Sequence, residues 1–413
     1  MKMMQQLSFS TLILLGLAAV NACSPWAVPD MDSSEAELRA AASKLAQQEI
    51  LIDTHIDYPL HQLKQLVDPG VRDSSRNFDI PRAREGGLDL PFFAVYTSPR
   101  LEAEGLSSAE HALRVLDTLD MMDRRYSESI RMIRSPEEFR RLRYSEPALF
   151  TYALGMENGS PLEGSLDRLQ QFWDRGVRYL SLSHGRSNHL SDSSYDSSRT
   201  WQGISPFGEL VILEMNRIGM IVDVSHVSDD AFWDIMRIST APVMASHSAA
   251  RHFTPGWERN ISDEMIGAVA DKGGLVMILF GSTFLRSDIQ DHAASEDSLL
   301  SEMMQERGIE KNSEEAWALK DEYRREHPLP RATARDVAEH IHHAVEIAGI
   351  DHVGLGSDFD GLGDTLPSDL LDVSMYPNLI YELLKMGYSE DALSKLMGRN
   401  FLEFWERVSS AAE

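Results

Sequence analysis

Leu51-Ile52-Asp53-Thr54-His55-Ile56-Asp57 decides how the rest of the chain is read. Ile50, Leu51 and Ile52 are apolar and prone to extended structure, as at the entry of a buried strand. His55 and Asp57 stand two residues apart, so in an extended chain both side chains point the same way. An imidazole and a carboxylate converging at a strand end suit a borderline cation such as zinc. Taken alone, such a pair is more often an ordinary polar strand end. Its weight depends on what other strand ends carry.

Working outward, apolar strand-like runs recur at 88–97, 148–156, 177–183, 220–225, 242–246, 274–280 and 352–357, with helical patterns between them. With the first, that makes the eight strands of an α/β (β/α)8 TIM-like barrel. A doubly wound sheet is the competing architecture, but no glycine-rich phosphate loop follows the first strand. One intervening helix is explicit. Ser205 is an N-cap, Pro206 fits the first helical position, and Gly219 ends the run. Phe207, Leu210, Val211, Met215 and Ile218 are expected to form its apolar stripe. Residues 281–331 are rich in Glu, Lys and Arg and read as a charged helical insertion between strands seven and eight. Such an insertion lies on the active-site face, as a lid or as a surface decoration. His340, His342 and His343 follow it on the barrel helix 333–348 and are expected to be structural.

The chain has 413 residues and a formal net charge of -26, which argues against nucleic acid as a partner. Its single cysteine, Cys23, follows a basic start and a short apolar run ending in Val20-Asn21-Ala22. This resembles a lipobox. Residues 1–22 are therefore expected to be a lipoprotein signal peptide, 23–33 a tether and 34–413 a single domain. The expected location is the bacterial cell envelope, with lipidated Cys23 in the bilayer as a periplasmic or outer-membrane lipoprotein.

The strand ends then collect ionisable groups. The first gives His55 and Asp57, the third Glu157, the fourth His184, the fifth His226, the sixth His247 and the eighth Asp358. All fall on the face where barrel active sites are built. Three histidines and two carboxylates exceed the needs of one zinc and suit two metals sharing a carboxylate. That chemistry points to hydrolysis of an amide or ester.

The motifs DTHID (53–57), FDIPRAREGG (78–87), GMENG (155–159), YLSLSH (179–184), SPFG (205–208), VDVSHVS (222–228), SHSAAR (246–251), Arg259-Asn260 and GSDFDG (356–361) resemble, in order, the membrane dipeptidase (renal dipeptidase) family of binuclear zinc peptidases. The resemblance runs from about residue 50 to the C-terminus. It implies two zinc ions per chain, one held by His55, Asp57 and Glu157, the other by Glu157, His226 and His247. It also implies His184 as oxyanion ligand, Arg259 as partner of a dipeptide's terminal carboxylate, and Asp358 as proton shuttle. Asp360 competes with Asp358 for that role, and Arg251 with Arg259. The chain departs from animal members at Leu279-Phe280-Gly281, where they carry an asparagine and a tyrosine. A homodimer is compatible with the resemblance, although Cys23 cannot reproduce the disulfide of the animal dimers. Two other readings compete: a binuclear amidohydrolase acting on another carboxylate-bearing amide or lactone, and an inactive periplasmic binding lipoprotein.

Overall fold

The computed structural model describes residues 34–311 and 313–412. The signal-peptide, tether and Cys23 expectations lie outside the described residues. Among the described residues, no helix is long and apolar enough to cross a membrane. The chain enters through the helix Glu35–Gln48, capped by Ser34 and Glu37 in a reciprocal pair.

Nine parallel strands follow: β1 Leu51–Ile56, β2 Leu88–Tyr96, β3 Ile130–Met132, β4 Phe150–Glu157, β5 Val177–Ser181, β6 Ile221–Asp223, β7 Met244–Ser248, β8 Leu275–Ile278 and β9 Val353–Leu355. Their order is β1-β2-β4-β5-β6-β7-β8-β9. A parallel bridge from Ile56 to Phe359 brings the last strand's continuation back to the first, so eight strands form the barrel. β3 lies off this path and was not expected from the sequence. It pairs with Phe150 to Tyr152 of β4, whereas β2 pairs with β4 only from Ala153 onward. The short strand thus satisfies the stretch of β4 edge that β2 leaves open.

The strand pleat sorts apolar residues into two populations. Ile52, Leu90, Phe92, Ala153, Tyr179, Ile221, Met244 and Met277 cluster with Phe401, Phe404 and Trp405 of the C-terminal helix Asn400–Ser410. Their neighbours Leu51, Phe93, Leu154, Leu180, Val222, Ala245 and Val276 join the larger core that includes the surrounding helices. Phe92 meets Phe401 and Trp405 edge-on, at ring-centroid distances of 5.0 and 5.2 Å. The C-terminal helix is tied to the end where strands begin. Asn400 Nδ2 donates to Ile350 O and Val353 O, and Arg407 donates to Gly273 O.

The helix Pro206–Ile218 begins at Ser205 and stops at Gly219, whose φ of 77° is left-handed. Its stripe differs from expectation at one position. Leu210 is 52% exposed, while Ile212 is buried beside Val211 and Met215. One residue is about 100° of helix rotation, so Leu210 turns out of the face that Val211 occupies. Between β8 and the helix Ala334–Ala348 lie the helices Ser282–Leu285, Ser287–Arg307 and Glu314–Glu326. Arg324 ties the last two together and to the loop after β9, pairing with Glu296 and Asp364 at 2.7 Å each.

Candidate metal centre and active-site cavity

Every ionisable residue expected at a strand end comes to one focus, the Glu157 carboxylate at the last position of β4. His226 Nε2 and His247 Nε2 lie 3.0 and 3.2 Å from Glu157 Oε1. His55 Nε2 and His184 Nε2 each lie 3.7 Å from the same oxygen. His55 Nε2 is also 3.5 Å from Asp57 Oδ2. Three overlapping groups can each hold a cation: His55, Glu157 and His247; Glu157, His184 and His226; His55, Asp57 and Asp358. His55 and His247 are fully buried, and Asp57, Glu157 and His226 nearly so.

Neighbouring residues fix which imidazole nitrogen faces the focus. The Tyr179 hydroxyl donates to Thr54 O (3.0 Å), so it accepts from His55 Nδ1–H (2.8 Å) and leaves Nε2 with a bare lone pair. Tyr179 reaches across the barrel because residue 155 is glycine. A Cβ there would stand 1.9 Å from the Tyr179 ring. On the other side, Ser246 Oγ donates to Asp223 Oδ2 (2.6 Å) and accepts from His247 Nδ1 (2.8 Å). His247 Nε2 therefore also presents a lone pair. It faces His226 Nε2 at 2.8 Å, and Arg259 Nη2 donates to that same His226 nitrogen at 3.1 Å. Two acceptors face each other, and His55 Nε2 has no hydrogen-bond partner. Inside a buried cage of carboxylates, these lone pairs fit divalent cations, which supply the missing positive charge.

The electrostatics agree. Burial raises the Glu157 carboxyl to about 8, against the opposing pull of His55. Burial likewise raises Asp358 well above the ordinary carboxylate range. Burial also lowers His184 to about 3, and His226 and His247 well below the usual imidazole value. For His55 burial pulls downward too, but Glu157, Asp57 and Asp358 outweigh it and raise the ring to about 10. Unaided, the cluster resists ionised carboxylates and, at His184, His226 and His247, protonated rings. Backbone strain is concentrated here as well: His226 and Asp358 have φ values of 69° and 64°.

Above the focus lies an open cavity of about 570 Å³. Asp57, Glu157, His184, His226, Arg259 and Asp358 line it, together with Leu60, Tyr96, Tyr195, Phe284 and Leu362. The structure separates the competing residues. Asp358 lines the cavity, whereas Asp360 pairs with His61 Nε2 (3.1 Å) and accepts from Asn77 N (2.7 Å). Arg259 lines it with its buried Nε unpartnered, whereas Arg251 is forked onto Asp229 at 2.7 and 2.6 Å. The 281–331 segment contributes Thr283 and Phe284 to the lining, while its longer helices contribute none of the lining residues. At the departure site, Phe280 is buried, and a Cβ on Gly281 would stand 2.7 Å from Phe284 and 2.8 Å from Leu362. Those two side chains occupy the space a larger residue would need.

The histidines of the helix Ala334–Ala348 lie apart from this centre. His340 accepts from Ala250 N (3.0 Å) and bonds Leu285 O (2.9 Å), bracing two loops of the active face. His343 forms a group with His252 and Asp263, but it is already paired with Asp263 at 2.8 Å and stacked on His252. Tyr179, Asp223 and Ser246, which orient His55 and His247, and Tyr195 and Phe284, which line the cavity, were not singled out from the sequence. The tyrosine inside VRYLS and the aspartate inside VDVS were the available signals: polar groups in the middle of buried strands.

Comparison with known proteins places these features in a family. An uncharacterised dipeptidase of Schizosaccharomyces pombe is 30% identical over 375 residues, covering 86% of this chain and 80% of the yeast protein. The probable dipeptidase PvdM of Pseudomonas aeruginosa has a similar structure, with a TM-score of 0.78 and 26% identity. The match covers 91% of this chain and all of that one. A metallopeptidase described as dipeptidase AC gives a TM-score of 0.70 and 25% identity, covering 87% of this chain and 98% of its own. A sequence model of the membrane dipeptidases (Peptidase family M19) matches residues 39–413. The chain, a hydrolase by these relationships, belongs to the membrane dipeptidase family.

Proposed function

We propose that this protein is a zinc-dependent dipeptidase that cleaves the one peptide bond of a dipeptide bearing a free carboxylate. The observation that carries this reading is the Glu157 oxygen surrounded by four imidazole nitrogens within 3.7 Å. His55, Asp57, Glu157, His226 and His247 would hold two zinc ions. The ions would supply Lewis acidity at the scissile carbonyl and lower the pKa of water.

The protein's own groups account for the remaining requirements. Arg259 binds the terminal carboxylate through a planar cation in the cavity lining, which sets the distance to the scissile bond. His184, neutral because burial holds its pKa near 3, donates an N–H to the oxygen that gains charge. Asp358 takes a proton from the attacking water and delivers it to the departing amine nitrogen. The cell-envelope location with lipidated Cys23 is part of the same proposal, supported by the sequence alone.

The test is kinetic and analytical together. Asp358→Asn should retain zinc and lose at least about a hundredfold in kcat. Arg259→Met should mainly raise KM for dipeptides, because the carboxylate contact exists in ground state and transition state alike. Hydrolysis at full rate by protein stripped of metal, or near-normal kcat in Asp358→Asn, would sink the reading. Recovery of Cys23→Ala protein in the membrane fraction would remove the anchor.

A further inference from the structure

The loop between β5 and the helix Pro206–Ile218 carries Tyr195 into the cavity wall beside Arg259 and His226. This position is held from two sides. Ser194 N and Oγ both donate to His226 O, at 2.9 and 3.1 Å, and Ser193 bridges to Val227. Arg199 donates to Ser193 O (2.6 Å) and pairs with Glu258, next to Arg259. The Tyr195 ring meets the Trp257 ring edge-on at 6.3 Å and lies 5.9 Å from the His226 ring. The loop is thereby fastened both to a candidate metal ligand and to the segment that bears the cavity's guanidinium.

Arg259 is already heavily engaged. Nη1 donates to Ser248 Oγ (3.0 Å), and Nη2 donates to His247 O (2.8 Å) and His226 Nε2 (3.1 Å). Phe284 covers one face, with the guanidinium carbon 5.6 Å from its ring centroid. With His226 Nε2 given to a metal, the fork keeps its bonds to Ser248 and His247 and has about three N–H groups left, fewer than the roughly four acceptor sites of a carboxylate. Among the cavity-lining residues, Tyr195 packs against both His226, which Arg259 touches, and Trp257, two residues before Arg259 in the chain. A phenol at that place can donate its O–H to a carboxylate held by the guanidinium. The residue is 43% exposed, so the ring edge is open to a ligand.

We propose that Tyr195 is the second arm of the substrate-carboxylate site: standing beside Arg259, it donates its O–H to the free carboxylate of the substrate's C-terminal residue. The inference rests on the dipeptidase reading and adds a binding residue to it. Tyr195→Phe keeps the ring against Trp257 and removes only the hydroxyl. The experiment measures kcat and KM of wild type and Tyr195→Phe on one dipeptide and on its C-terminal amide, with zinc content determined for both proteins. The expected result is a rise of about tenfold in KM for the free dipeptide and a change of less than about threefold in kcat. The amide should be turned over equally by both proteins, so the preference for the free acid shrinks about tenfold. Inhibition by a free amino acid should weaken by the same factor, an independent measure of the same contact. An unchanged KM for the free dipeptide, or an equal loss on acid and amide, would overturn the proposal. Wild-type protein that cleaves no dipeptide would overturn the reading beneath it, and the two failures are told apart by the wild-type assay alone.

Discussion

Where the strands begin, Phe92, Phe401 and Trp405 close the barrel with tightly packed rings. Where they end, Glu157, His55, His226 and His247 crowd together with unpartnered nitrogens, raised carboxyls and left-handed backbone. The same strands supply both ends. At the first end each buried group removes apolar area from water, and the helix Asn400–Ser410 seals it. At the second, burial opposes each charge and becomes favourable once a cation is shared among the ligands. Stability is concentrated at one end and reactivity at the other. Tyr179 joins them, with its ring in the apolar cluster and its hydroxyl on His55.

The comparison breaks most directly at Glu157. Glu157→Gln keeps the shape but removes the charge that four imidazoles surround, and kcat/KM should fall by at least about a thousandfold. Its unfolding free energy without metal should stay within about 1 kcal/mol of wild type or rise, because a buried carboxyl is relieved. A strongly destabilised Glu157→Gln protein would show that the reactive end also carries stability. The converse change is Trp405→Ala, which should cost about 3–5 kcal/mol of stability by denaturant titration. The protein that remains folded should turn over at the wild-type rate, and a lower kcat would mean that the ends are coupled.

Tyr179→Phe sharpens the boundary. It leaves the ring in place and frees His55 Nδ1, so zinc affinity measured against a competing chelator should drop about 10–100-fold. Stability should fall by only about 1–3 kcal/mol through the lost Thr54 contact. Unchanged zinc affinity would remove Tyr179 from the metal centre.

The smallest effect is on pH dependence. Between pH 7.5 and 8, folded metal-free protein retains most of the protons of Glu157 and His55, whose folded values lie at about 8 and 10. The unfolded chain has released them, since its Glu and His titrate near 4.5 and 6.5. The folded state therefore binds more protons, and its stability should fall as the pH rises across this window. His184, His226 and His247 are neutral in both states there and do not offset it. The loss is at most about 1.4 kcal/mol per pH unit for each proton. Zinc should abolish the slope by displacing those protons. Thermal unfolding of metal-free and zinc-loaded protein at several pH values decides this, and a metal-free protein that becomes more stable with rising pH would contradict it.

The sequence by itself determined the architecture and which ionisable residues reach one face of the barrel. His55, Glu157, His184, His226, His247 and Asp358 each follow an apolar run, and a parallel barrel delivers such positions to one face whatever the loops do. Local signals also set the helix Pro206–Ile218, because its cap and stop residues act within a few positions of the chain. The tertiary structure decided what depends on direction across the barrel. Asp358 and Asp360 are two residues apart, yet one lines the cavity and the other is held by His61 and Asn77, which are distant in sequence. Arg259 was separable from Arg251 only once Asp229 occupied the latter's fork. Tyr179 became legible when Gly155, on the neighbouring strand, left room for its ring. Short-range chemistry is written in neighbouring residues, whereas the partners that orient a side chain come from strands and loops tens to hundreds of residues away and exist only after the barrel has closed.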